Sequence, residues 1–452
     1  MNRLSAFFLA LSGSFLVSTA SLHADSGSQT AIPKTRTGYV TQTVPPDSFR
    51  VDGLLVKTSH TTSIYKANNA GGTFLYQIDT LPVGSRVTVH GKPDPQGNGF
   101  IADKVAVYSD NLPQKAVGAG LLSGPIALTP SGKSWSGTVD ADGYHLTVTP
   151  DTEVTLPAAV TDPAALPPNS WVKYKADWHI NGKLVASQIA FCSFGRSDKE
   201  QKFAKSSDFR IDPPDYDKGT PGKVHFVAHT MTILADRQLA DHVTKIGESL
   251  VPDWQKKLAD NDPEKVHFRF YILESSKTLK YPVSDEAGTV LVPANMLARL
   301  KNDAQLAALI AADVGAAIGE YYYQTLRERQ AVEAFTWGGL ATPFVGPIVA
   351  SQASSDYWEA QMEHEYRVGM ACMAAAEYDM RQAPEAIRQI EERHPEEDEA
   401  KGTPPPRLAA YVEFIYATTY GRTDWSGKQV GESEYGQLLA TLKTVDPKAH
   451  VQ

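Results

Sequence analysis

The sequence predicts a multidomain chain: two small antiparallel β-barrel modules followed by a mainly helical α+β domain. Three observations carry that reading. At 452 residues the chain exceeds what one small core organises and leaves room for two or three domains. A pattern of short strands and turn residues occurs twice between residues 38 and 195. Beyond residue 222 the apolar spacing changes from alternation to helical periodicity.

Composition is that of an ordinary globular protein. The formal net charge of −9, with no long Lys/Arg run, lacks the basic footprint of a nucleic-acid binder or of a polybasic membrane patch. At the start of the chain, Arg3 precedes an apolar run from Ala6 to Val17 and small residues at Ser18-Thr19-Ala20. This is the layout of a secretory signal, too short for a spanning helix. Residues 1–20 therefore read as a signal peptide and 21–37 as a disordered linker. The expectation is a bacterial exported protein, periplasmic or extracellular, without a lipid anchor, since no cysteine follows the apolar run. Cys192 and Cys372 fall in different predicted domains, where lone cysteines serve as small buried apolar residues rather than a disulfide framework.

Module 1 is assigned to residues 38–110 and module 2 to 116–195. The first opens with Gly38-Tyr39-Val40, continues with Phe49-Arg50-Val51-Asp52-Gly53-Leu54-Leu55-Val56 and Leu81-Pro82-Val83-Gly84, and closes with Gly99 to Val105. The second opens at Gly124-Pro125-Ile126, turns at Asp142-Gly143 and continues with Leu166-Pro167 and Gly182 to Ile189. Alternating apolar residues between Gly, Pro and Asn turns give small barrels or sandwiches. The layout resembles small extracytoplasmic β-barrel modules of unknown function. Tyr39, Phe49, Trp135 and Trp171 read as core residues. Ligand or partner binding by the barrel repeats is an alternative role for them.

Residues 196–221, charged and then proline-rich, read as a linker, and 222–445 as the third domain. There, 233–250 has helical spacing, 266–273 alternates as a strand, and Gly288 to Pro293 is a second strand. Asn302-Asp303 caps an apolar helix from about Ala304 to Gln324, and a further helix spans roughly Ser355 to Met380. Between them, 335–350 is apolar but broken by Gly338-Gly339, Pro343 and Pro347, so no stable membrane span is expected. Residues 391–406 read as a loop, with closing helices at 411–420 and 435–442.

This order of elements resembles the HtpX- and Oma-type zinc metallopeptidases, peptidase family M-48. In that family a G-x-x-x-V strand precedes a helix of the form L-A-x-V-L-A-H-E-x-x-H, whose two His bind zinc and whose Glu activates the zinc-bound water. A second helix carries E-x-x-A-D-x-x-G, with the third ligand Glu, and ends at A-G-Y-D. Here Gly288 to Pro293 fits the strand, and Leu306 to Ala316 (LAALIAADVGA) fits the helix. The matching places Ala312 and Ala316 at the two His, Asp313 at the Glu and Met362 at the third ligand. Gly369 holds the family's glycine, Ala376-Glu377-Tyr378-Asp379 the A-G-Y-D end, and His394-Pro395 a following H-P element.

The resemblance thus implies a gluzincin-type fold with vestigial positions Ala312, Asp313, Ala316 and Met362. Methyl groups and a thioether are not zinc donors of the family's kind, so no cofactor and no family-type proteolysis are expected. The expected role is a non-catalytic one in binding or scaffolding, with a protein or peptide partner. The alternative is a residual or displaced-site zinc hydrolase, with metal held by Asp313, Glu320, Glu363 and His364. Against it, Glu363, His364 and Glu365 point about 100° apart on a helix and read as a solvated face. His225 and His229 lie four apart and share a face in either a strand or a helix, without an evident third ligand. No phosphate-binding loop or G-x-S-x-G elbow occurs.

Overall fold

A computed structural model describes residues 35–67, 76–95, 99–108, 113–132, 134–158, 160–167, 170–192, 207, 209–226, 229–276, 279–285, 287–319, 346–391 and 407–449. The predicted signal peptide, Glu320, most of 335–350 and His394-Pro395 lie outside these residues.

Six strands build the first barrel: β1 (Thr35–Val44), β2 (Ser48–Val51), β3 (Leu54–Lys57), β4 (Ser63–Lys66), β5 (Arg86–Pro93) and β6 (Gly99–Val107). Their order is β3-β2-β1-β5-β6, and β6 pairs back with β3 to close the barrel. Alternation along each strand turns Val40, Phe49, Val51, Val56, Val87, Val89 and Val105 into one sealed core. The second barrel repeats the plan with β7 (Lys115–Ser131), β8 (Ser134–Ala141), β9 (Tyr144–Val148), β10 (Glu153–Thr155), β11 (Trp171–Trp178) and β12 (Leu184–Cys192). Its order is β9-β8-β7-β11-β12, with β12 returning to β9.

The barrels are not purely antiparallel, as the sequence had suggested. The closing pairs β3–β6 and β9–β12 are parallel, and β4 and β10 add parallel to β6 and β12. Closure joins strands distant in sequence, which a reading of local hairpins does not reach.

The repeat holds down to individual hydrogen bonds. Asp52 N donates to Tyr39 O at 3.0 Å, and Asp142 N to Leu121 O at 2.8 Å. Thr62 Oγ1 donates to Ala102 O at 2.6 Å, and Thr152 Oγ1 to Ala186 O at 2.7 Å. Gly38-Tyr39-Val40 therefore corresponds to Gly120-Leu121-Leu122, not to Gly124-Pro125-Ile126. The β7–β8 register shifts between Leu122 and Ile126, and the similar Gly-x-apolar pattern beyond that irregularity misplaced the opening of module 2. Strand β1 also starts three residues inside the expected 21–37 linker.

A third sheet begins in the stretch expected to be linker, because β13 (Arg210–Asp212) is too short for periodicity to reveal. With β14 (Gly222–Phe226), β15 (His229–Ile233), β16 (Arg269–Leu273), β17 (Val283–Ser284) and β18 (Thr289–Pro293) it forms the order β13-β14-β15-β16-β18-β17. Only the pair β16–β18 is parallel. His225 and His229 sit on opposite strands of the β14–β15 hairpin, opposite Thr230 and Phe226 respectively.

Helix α1 (Arg237–Leu250) starts after Asp236, whose carboxylate accepts from Leu239 N. It therefore begins four residues later than its apolar spacing implies. The short α2 (Asp253–Lys257) and α3 (Ala294–Leu297) lead to α4 (Asp303–Ile318), capped by Asn302 as expected. Every residue of α4 after Asp303 is buried, the property of a helix apolar on all faces. Helix α5 (Gly346–Ala375) packs along it and is followed by α6 (Gln382–Glu391), α7 (Arg407–Ile415), a π-helical turn (Tyr416–Tyr420) and α8 (Glu432–Val445). The chain is thus a strand-rich N-terminal region of two barrels followed by a helical C-terminal region carrying its own sheet. No helix among the described residues is long and apolar enough to cross a membrane.

Candidate functional site

The α4–α5 pair holds all the site positions read from the sequence that are described. Its crossing is set by two glycines. A Cβ on Gly315 would lie 2.6 Å from Gly369 N, and one on Gly369 would lie 2.5 Å from Ala311 C and O. Backbone meets backbone here, which only glycine permits at this separation. Ala312 and Ala316 are buried beside the crossing, and Met362 packs half-buried against the same core. Asp313 is 9% exposed and lies near Tyr366, whose hydroxyl is pushed well above its ordinary pKa, by burial first and then by the Asp313, Glu365 and Glu391 carboxylates. Tyr281 adds its hydroxyl on Glu391 and packs edge-on to Tyr366.

His364 is not on a solvated face. It is 2% exposed, because the β8–β9 hairpin of the second barrel sits on α5 at this point. Its Nδ1 lies 2.9 Å from Asp142 Oδ1. Glu363 and Glu365 are half-buried, and Glu365 accepts from Gln361 Nε2 at 2.7 Å. Among the described residues no group of three His, Cys, Asp or Glu side chains converges as a metal site requires.

The hairpin tip and α5 instead share a buried ionic cluster that no sequence motif announced. Arg367 donates from Nε to Asp142 O at 2.6 Å, from Nη2 to Asp142 Oδ2 at 2.7 Å and from Nη1 to Tyr411 Oη at 2.6 Å. Its guanidinium stacks 4.2 Å from the centre of the Tyr144 ring, and Tyr174 donates its hydroxyl to Asp142. Burial alone would raise the Asp142 carboxyl. The Arg367 guanidinium, His364 and the hydrogen bonds outweigh it and hold the group at about 2. Tyr174 moves the other way, well above its usual value, through burial and the neighbouring carboxylate. The traces in the sequence were indirect: an Asp-Gly turn repeated in both modules, and an Arg three residues after His364.

The first barrel meets the helical region elsewhere: a Cβ on Gly84 would lie 2.7 Å from the Phe414 ring, and one on Gly421 would lie 2.5 Å from Thr41 Cγ2. Asp52 and Asp142 have φ of 47° and 56°, and each is followed by a glycine also at positive φ. Asp52 Oδ1 accepts from Tyr39 N at 3.1 Å. Burial first, with Glu413 adding to it against Arg36 and Arg381, pushes its carboxyl up to about 7. Tyr39 belongs to the core of the helical region rather than to its barrel, beneath the Arg388 guanidinium. Phe49 and Trp171 are buried as expected, and Trp135 is partly buried against the second barrel's core.

A cavity of about 320 Å³ lies where the second barrel meets the end of the α4–α5 pair. None of Ala312, Asp313, Ala316 and Met362 lines it. Cys372 does, as a free thiol whose burial pushes it up to about 12, and Cys192 is likewise free.

These features define a chain of two barrels packed against a helical region, the second through its Asp142-Gly143 hairpin. Residues 37–106, the first barrel, match the family described as a domain of unknown function, DUF5666. No curated protein matches the chain.

Proposed function

We propose that the chain is an exported, non-catalytic protein of the M-48 metallopeptidase type, acting in binding or scaffolding. Three backbone features support the family register. Glu377, at the glycine of the A-G-Y-D end, has φ 62°, a conformation that favours glycine. Gly369, at the family's helix glycine, lies backbone to backbone against α4, where a Cβ would sit 2.5 Å from Ala311 C and O. Asp379, the last residue of the motif, is buried and starts α6 by accepting from Arg381 N and through its ion pair with the Arg381 side chain.

The observation that carries the non-catalytic reading is the crossing itself. At the three zinc-ligand positions stand two buried methyl groups and a thioether, which do not fit zinc, packed where the helices meet. Asp313 offers a carboxylate, and among the described residues no group of three metal-ligating side chains forms around it. The expected outcome is sub-stoichiometric zinc by elemental analysis of the purified full chain, with no chelator-sensitive cleavage of a denatured protein substrate. Stoichiometric zinc together with chelator-sensitive cleavage overturns the reading.

A further inference from the structure

The geometry points to the cavity between the second barrel and the α4–α5 pair as a binding site for a single aliphatic chain of about ten carbons, of the fatty acyl kind. This rests on the binding reading above and gives it a ligand class. The space is a cleft partly open to solvent, with a volume of about 320 Å³, so a chain can enter it from outside. Its walls come from four places: Leu121 and Ile126 on β7, Leu166 beyond β10, Trp254 on α2, and Ile318 and Val368 on the helix pair.

None of the described lining residues carries a charge, and the Ser123 hydroxyl already accepts from Gly143 N at 3.3 Å. Such walls hold water poorly, since a buried water needs two or more polar partners. They suit methylene groups. The volume corresponds to roughly ten water-sized units of about 30 Å³ each, which sets the chain length. Arg367, the nearest buried cation, is fully engaged by Asp142 and Tyr411, so it offers no grip on a charged headgroup. The polar end of the ligand therefore stays at the mouth, and the selectivity is for the chain.

The test is titration of the purified full chain with a dansyl-labelled undecanoic acid, followed by displacement with decanoate and with uncharged decanol. Saturable one-to-one binding, displaced by both, is the expected result. Ala371→Trp on α5 and the milder Ala164→Leu in the 163–165 turn place bulk in the cleft from two different elements, and each should weaken binding at least about tenfold while keeping the wild-type circular dichroism. Val117→Ser and Ile180→Ser remove the exposed apolar side chains, at 66% and 52% exposure, and should leave binding unchanged. Absence of saturable binding, equal binding by both filled variants, or loss of binding in the two surface variants overturns the proposal. Zinc content and chelator-sensitive cleavage of the same preparation test the non-catalytic reading separately, because neither depends on the probe.

Discussion

Replacing Arg367 by methionine keeps the bulk of its stem and removes its charge. The carboxylate it leaves behind, Asp142, is 3% exposed and retains only Tyr174 and His364 beside it. Breaking a buried ion pair from one side costs about 3–5 kcal/mol, because the remaining charge is neither solvated nor paired. The direction of the Asp142 shift agrees: its partners, Arg367 foremost, more than offset a burial that by itself would raise the carboxyl. About 3–5 kcal/mol is therefore the expected loss.

With several cores in one chain, a single unfolding free energy is not well defined. Hydrogen exchange of the amides of residues 141–144 and 361–375 reads the docked hairpin directly. Arg367→Met should speed exchange there by about a hundred- to five-thousand-fold, at 1.36 kcal/mol per factor of ten, and leave the first barrel's core unchanged. Adding Asp142→Asn removes the stranded charge and should recover at least about half of the lost protection. A change below about tenfold in the single variant, or strict additivity in the double, would refute the reasoning. The pH dependence has a definite sign. A carboxyl held low in the folded state stabilises fully above about 3.8, and this contribution is lost as the pH falls through about 2.

The first barrel's dock should respond to pH in the opposite sense. Asp52 is raised from 3.8 to about 7, so folding takes up a proton between those values and stability falls as pH rises across that window, levelling above it. Thermal melts at pH 5 and pH 8 should show the drop, and Asp52→Asn should shrink it; Glu413, also raised by burial, contributes with the same sign. Glu377→Gly removes a left-handed side-chain residue costing about 1 kcal/mol and gives up an exposed pair with Lys428 worth about 0–1 kcal/mol. The melt of Glu377→Gly should therefore equal or exceed that of wild type, and a loss beyond about 1 kcal/mol counts against the backbone argument. Gly369→Val drives a side chain into Ala311 C and O, and should cost about 2–3 kcal/mol or prevent α4 and α5 from packing, read by loss of near-ultraviolet circular dichroism.

The elements legible in the sequence were those fixed by short-range signals. Alternating apolar residues between turn glycines located the barrel strands, and Asn302 marked the start of α4. Helix α6 was overlooked, although Ala383, Ala386, Ile387 and Ile390 carry helical spacing. The short β13 carried no periodic signal. For the site, the sequence misjudged His364, whose surroundings come from a hairpin more than two hundred residues earlier in the chain.

The sequence by itself determined what the α4–α5 pair is made of, alanine at 312 and 316 and methionine at 362, and it determined the repeated Asp-Gly turns. Chemical identity is a local property and survives without coordinates. Only the tertiary structure decided what those residues face. Barrel closure joins β6 to β3 and β12 to β9 across long separations, and Asp142 meets Arg367 across 225 residues. The same packing holds Asp142 low and Asp52 high, although both occupy the same turn of the same repeat. A pKa and a cavity depend on neighbours brought together by packing, and no one-dimensional pattern records them.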